Sequence, residues 1–209
     1  KIYVGVNGVA RKVKKAYIGV AGIARCFFGG RELVYYGTAD NLSVARSGLA
    51  ATSVGNYALF GGGANSSNVY QKTVDAYNTS LTKSTPTSLS QARYYLSATS
   101  IGDYALFGGG YVYSSIVDAY NKSLTRSTPT ALSQARNTLS ATSIGDYALF
   151  GGGYAGSYSS TVDAYNKSLT RSTPTSLSEA RRYLSATSIG DYALFGGGYL
   201  GSSDYSSIV

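Results

Sequence analysis

The chain has 209 residues, with 18 Lys and Arg against 10 Asp and Glu for a net charge of +8, no His, no Trp, no Met and a single Cys. Without His it lacks the commonest metal ligand and the commonest general base, and one Cys excludes an internal disulfide or a multi-cysteine metal site. At 13% charged and 44% hydrophobic residues, and with no apolar run near the roughly 18 residues of a spanning helix, the composition is that of a folded chain with no membrane role.

Positive charge is concentrated at the start. Residues 1–36 carry seven Lys and Arg against Glu32 alone, a net +6, which leaves +2 for everything after. The same stretch holds an internal match: YVGVNGVAR at 3–11 and YIGVAGIAR at 17–25, offset by 14 residues. Asn7-Gly8 between β-branched runs is a strong hairpin signal and Ala21-Gly22 a weaker one. Two small hairpins, about 2–13 and 16–28, are therefore expected. Alone they would be marginal, so they should lie against a partner, another copy or the rest of the chain. Arg11, Lys12, Lys14 and Lys15 are candidate assembly residues; the plainer reading is Lys that keeps strand edges from aggregating. No zinc-finger, helix-turn-helix or RNP pattern accompanies them, which disfavours nucleic acid as a partner. Cys26, in an apolar strand, reads as a small buried hydrophobe.

From residue 45 onward the chain repeats. YALFGGG occurs at 57–63, 104–110, 147–153 and 192–198, and VDAYN at Val74–Asn78, Val117–Asn121 and Val162–Asn166. Ala-Arg opens each unit at 45–46, 92–93, 135–136 and 180–181. In the second unit four short strands are expected: 95–101, 104–107, 115–121 and a weakly patterned outer strand at 124–128. Gly102-Asp103 makes a tight turn between the first two, Asn121-Lys122 turns the chain again, and Pro129 stops the last strand. No segment shows sustained 3.6-residue periodicity, so little helix is expected. Units of about 45 residues built from strands indicate a propeller or another repeat array. Glycines 61, 62, 108, 109, 151, 152, 196 and 197 (Gly61, Gly62, Gly108, Gly109, Gly151, Gly152, Gly196, Gly197) are expected to be structural, standing where backbones approach closely.

The Ala-Arg openings, the apolar strand running into GGG and the following Tyr77, Tyr120 and Tyr165 resemble Kelch repeats over residues 33–209. The family pattern usually has a Trp several residues after that Tyr; here Leu81, Leu124 and Leu169 stand near its place. The resemblance implies an all-β fold: a Kelch-like β-propeller over 32–209, with blades at about 45–91, 92–134, 135–179 and an incomplete 180–209, preceded by a β-hairpin attachment region at 1–31. It further implies that residues 32–37 supply a closing outer strand. That arrangement makes a four-bladed ring; the alternative is a natural chain that continues with more repeats, favoured because 209 falls inside an expected strand. The tandem YIGV-type units ahead of Kelch-like repeats resemble proteins encoded among tail and other structural genes of phages and prophages of Gram-positive bacteria.

In Kelch-like geometry the loops after GGG share one face of the ring. They differ here between near-identical units: ANSSNVYQK, YVYSS, YAGSYSS and YLGSSDYSS. Tyr, Ser, Gly and Asn dominate them, residues that give rigid amphipathic contacts and adaptable hydrogen bonds, as in antibody binding loops. Tyr70, Tyr111, Tyr113, Tyr154, Tyr158, Tyr199 and Tyr205 are thus candidate ligand- or partner-binding residues; the alternative is polar loops drifting without constraint. Arg46, Arg93, Arg136 and Arg181 could ring a central channel, but their recurrence in every unit favours a structural role, donating to carbonyls of the Gly-rich turn or pairing with an Asp of the next blade. Asp103, Asp146 and Asp191 suit turns, Asp75, Asp118 and Asp163 suit blade contacts, and no EF-type calcium loop is present.

These readings together point to a non-enzymatic phage virion component of the tail, baseplate or fibre, with no cofactor and no metal. Its hairpins would hold other virion proteins, its propeller would meet a bacterial surface glycan or protein, and it would be homo-oligomeric in the particle. The alternative is a bacterial surface or secreted adhesive propeller. Kelch-type copper oxidases need His ligands, which the chain lacks, and glycosidase chemistry needs two carboxylates in a cleft.

Overall fold

The computed structural model describes residues 37–209 except Val112, and four strands before them. The chain divides into two units, Lys1–Asp40 and Asn41–Val209. In the first, β1 (Tyr3–Val6) pairs antiparallel with β2 (Val9–Lys12), and β3 (Ala16–Val20) with β4 (Ile23–Phe28). Arg11 and Lys12 thus lie on β2 and Cys26 on β4. Lys14, Lys15, both expected hairpin turns and, apart from Gly37, the expected closing strand at 32–37 lie outside the described residues.

The second unit is all β, with no helix among the described residues. Three antiparallel four-stranded sheets follow one another in chain order. The first is β5 (Ala50–Val54), β6 (Tyr57–Gly61), β7 (Val74–Asn78) and β8 (Lys83–Ser84). The second is β9 (Ser97–Ile101), β10 (Tyr104–Gly108), β11 (Val117–Asn121) and β12 (Arg126–Ser127), and the third β13 (Ser140–Ile144), β14 (Tyr147–Gly151), β15 (Val162–Asn166) and β16 (Arg171–Ser172). The fourth repeat pairs β17 (Ser185–Ile189) with β18 (Tyr192–Gly196), and a separate small hairpin joins β19 (Tyr199–Gly201) to β20 (Asp204–Tyr205).

Period-2 alternation explains how the sheets pack. In YALFG, Leu points to one face and Ala and Phe to the other. Val54, Leu59 and Ala76 of the first sheet therefore meet Ala105, Phe107 and Tyr120 of the second. Ile101, Leu106 and Ala119 of the second meet Ala148, Phe150 and Tyr165 of the third in the same way. Burying each Phe fully contributes about 1.5–3 kcal/mol. Tyr120 and Tyr165 are core residues whose hydroxyls donate to the carbonyls of Thr87 (2.7 Å) and Thr130 (2.8 Å). Burial, then the nearby Asp118 or Asp163, pushes both phenols well above the usual tyrosine value.

The triple glycine joins each sheet to the next. A Cβ on Gly108 would stand 2.7 Å from the Phe150 ring, so the first glycine is the socket for the next sheet's Phe. Gly109 has φ +71°, and a Cβ there would stand 2.7 Å from the Arg136 carbonyl oxygen. That carbonyl accepts the Gly110 N–H at 2.8 Å; Gly63 and Gly153 donate likewise to Arg93 and Arg181. On the first-strand side a second ladder links all four repeats: Tyr95 N–H to Gly48 O, Thr138 N–H to Tyr95 O and Tyr183 N–H to Thr138 O, at 2.9–3.0 Å.

Two strand expectations need correction. Tyr95 is not in the first strand; it takes φ +53° and lies outside β9, because its amide and carbonyl serve neighbouring repeats rather than its own sheet. The outer strand shrinks from 124–128 to Arg126–Ser127. Asn121 Oδ1 accepts the amides of Ser123 and Thr125, which wraps the chain into a turn with Leu124 at φ +59°.

Candidate functional site

The four buried arginines set the base of the site. Arg93 Nη1 donates to the carbonyls of Gly109 (2.8 Å) and Ile116 (2.7 Å), and its Nη2 to Asp118. Arg136 repeats this with Gly152 (3.0 Å), Thr161 (2.5 Å) and Asp163 (2.5 Å), and Arg46 pairs with Asp75 at 2.8 Å. Each Asp is thus in the same repeat as its Arg, not in the next one. The link between repeats comes through the second carboxylate contact: Asp118 accepts from Ser90 N–H and Asp163 from Ser133 N–H, each in the loop entering the repeat. These pairs have no exposed side-chain surface, so the arginines do not line an open channel. Burial works against the charge on Arg93 and Arg136 and lowers their values, while Asp118 and Asp163 oppose that change. For Asp75 burial acts first, but hydrogen bonds from Ser43 and Arg46 outweigh it and hold the carboxyl below its usual value.

The next two residues after each Ala-Arg carry the variation. They are Ser47-Gly48, Tyr94-Tyr95, Asn137-Thr138 and Arg182-Tyr183, whereas the 16 residues that follow, LSATSIGDYALFGGGY, are identical in the last three repeats. The first residue of each pair bridges to the first residue after GGG: Ser47 to Ala64, Tyr94 to Tyr111, Asn137 to Tyr154 and Arg182 to Tyr199. The second forms the backbone ladder between repeats. The fold therefore brings these pairs and the variable loops to one end of the sheets.

There the seven candidate tyrosines form an unbroken run. Successive ring centroids are 5.7 Å apart for Tyr70–Tyr111, 6.3 Å for Tyr111–Tyr113, 5.9 Å for Tyr113–Tyr154 and 5.5 Å for Tyr154–Tyr158. The run continues through Tyr158–Tyr199 (5.8 Å) to Tyr199–Tyr205 (5.5 Å). Three tyrosines absent from the sequence-derived set join it. Tyr94 stacks on Tyr70 at 4.9 Å and 19° and touches Tyr111 and Tyr95, and Tyr95 meets Tyr183 at 6.1 Å. Burial and then the neighbouring tyrosines raise the Tyr94 phenol above its usual value. Arg182, also missed, places its guanidinium carbon 5.1–5.6 Å from the rings of Tyr154, Tyr158, Tyr183 and Tyr199. Such cation–π contacts stabilise by about 0.5–2 kcal/mol each, depending on desolvation. A usable signal was present in the sequence: variation at two positions flanked by invariant ones.

The loops are pinned at their bases by contacts that recur from repeat to repeat. Ser114 Oγ donates to Gln91 Oε1 (3.2 Å), Ser159 Oγ to Gln134 Oε1 (2.8 Å) and Ser206 Oγ to Glu179 Oε2 (2.7 Å). At the opposite end the second and third repeats match: the turns carrying Asp103 and Asp146 make the same exposed pairs with Lys122 and Lys167, both at 2.5 Å, while the first repeat has Asn56 and Thr79 there. Pairs this exposed contribute little. Chemically, the variable end offers aromatic faces, hydroxyls and one guanidinium, groups suited to holding a ligand. Among the described residues no cluster of three His, Cys, Asp or Glu side chains could hold a metal ion. No protein-family model matches the chain, and no curated protein matches it.

Proposed function

We propose that this chain is a non-enzymatic recognition component of a phage particle, in its tail, baseplate or fibre, whose repeats form a Kelch-like propeller. One observation carries the recognition reading: nearly identical repeats differ most in sequence and loop length at one end, and there they build a continuous tyrosine surface above recurring loop-base contacts. A drifting polar loop set would not be expected to align its rings across four repeats. The radial arrangement draws support from Tyr95 and Tyr183, which belong to repeats two places apart yet meet at 6.1 Å, as inner residues of a curved array would. The hairpins of residues 1–31, with Arg11 and Lys12 on β2, attach the chain to other virion proteins, and many copies on one particle turn weak single-site contacts with a host glycan or protein into avidity.

Mass spectrometry and imaging of purified particles from the producing strain test this. The chain is expected in stoichiometric amounts, with its repeat array projecting from the particle. Its absence from purified particles contradicts the virion assignment.

A further inference from the structure

We infer that the fourth repeat carries a binding site for a carboxylate-bearing sugar, centred on Arg182. This deepens the recognition reading above and rests on it. Arg182 differs from every other arginine at the sheet ends. Arg46, Arg93 and Arg136 are tied into buried aspartates, and Arg181 donates to Ser206 Oγ, Ile208 O and Phe195 O. A buried, unpartnered Nε is common to all these arginines, but Arg182 alone among them has no hydrogen-bond acceptor and no carboxylate for its Nη groups among the described residues. Glu179 is engaged by Ser206 and Arg181, and Asp204, on β20, makes no ion pair with Arg182.

What holds the guanidinium in place is aromatic. Four tyrosine rings surround it at 5.1–5.6 Å and fix it without using its N–H fork. An immobilised, unspent fork suits a planar carboxylate, which it can grip through two parallel hydrogen bonds. The adjoining cavity has a volume of about 430 Å³ and is lined by Arg182, Tyr183, Gly198, Tyr199, Ser203 and Tyr205. That is within the roughly 300–1,000 Å³ of small-molecule sites. Tyr199 and Tyr205 offer ring faces for the C–H side of a pyranose, and Ser203 offers a hydroxyl. The lining contains one cation, which matches a monoanion; a phosphomonoester dianion would find no second positive charge there.

Titration of the whole chain with methyl glucuronide, methyl glucoside and glucose 6-phosphate, followed by NMR, tests the site. Glucuronide is expected to bind about tenfold or more tightly than glucoside, as charge-assisted bidentate bonds require, and to weaken as salt is raised. Arg182→Gln should remove that preference, and Arg182→Lys, which keeps the charge without the fork, should restore only part of it. A single cooperative thermal transition for both variants, lowered in Arg182→Gln by the lost cation–π contacts, shows that the array remains folded. Equal binding of glucuronide by wild type and Arg182→Gln, no glucuronide binding, or preference for the phosphate each overturns the inference. If Arg182→Gln leaves cell-wall binding intact while tyrosine substitutions abolish it, the recognition reading stands and the acidic-sugar site falls. If tyrosine substitutions have no effect on cell-wall binding, the recognition reading itself falls.

Discussion

Replacing Arg136 by alanine is expected to lower stability by about 3–5 kcal/mol, the loss seen when one partner of a buried ion pair is removed. The guanidinium satisfies the Gly152 and Thr161 carbonyls and Asp163 at once, all within the sheet interior. Without it, a carboxylate and two carbonyls remain buried with no water to replace the donor. Arg136→Lys should be nearly as damaging, since an ammonium cannot span the same three acceptors in one plane. Arg181→Ala provides the internal comparison. Arg181 is equally buried, but it donates to Ser206 Oγ and two carbonyls and is 3.9 Å from the partly exposed Glu179, so its loss strands no buried carboxylate. Its cost should be smaller by at least about 1–2 kcal/mol. Urea unfolding followed by circular dichroism reads all three.

Gly109→Ala should cost about 2–4 kcal/mol, from a left-handed penalty of about 1–2 kcal/mol and overpacking against a neighbour that cannot yield. The added methyl would sit 2.7 Å from the Arg136 carbonyl oxygen and 2.7 Å from Leu139 Cδ2. It would therefore push apart the Gly110–Arg136 hydrogen bond that joins the second repeat to the third. Gly145→Ala separates the two contributions. Gly145 has φ +51° in an exposed turn with nothing within 4 Å of the new Cβ, so only the conformational penalty of about 1–2 kcal/mol remains. Equal losses at the two glycines would mean that contact between repeats is not what Gly109 serves.

The period, the strand–GGG–strand order and the Gly-Asp turns of the repeats were legible because they depend on local patterning. Alternation in YALFG and the Gly102-Asp103 turn act within a few residues, and β10 and β11 appear where the pattern placed them, one or two residues aside at the ends. Tyr95 was misread for the opposite reason. An aromatic residue beside an apolar run looks like strand, yet its backbone partners, Gly48 and Thr138, are 47 and 43 residues away in chain and belong to other repeats. The same non-locality hid the choice of Asp for each Arg: spacing alone cannot distinguish an aspartate across the sheet from one in the next sheet. At the site, loop composition singled out Tyr70 to Tyr205. It could not reveal Tyr94, Tyr95, Arg182 and Tyr183, which sit beside the structural arginines and reach the surface only because the chain after each of those arginines bridges to the residue after GGG.

A paired alanine scan of the two ends of the sheets, read as binding of the purified chain to Gram-positive cell walls, tests most directly whether recognition belongs to the variable end. Alanine at Tyr111, Tyr154 and Tyr199 is expected to weaken binding by about tenfold or more, the effect of removing buried aromatic anchors. Alanine at Asp103, Asp146 and Lys122, in the turns at the opposite end, should leave it within about twofold, as for exposed pairs. Comparable losses from both ends, or undiminished binding after the tyrosine substitutions, would contradict it.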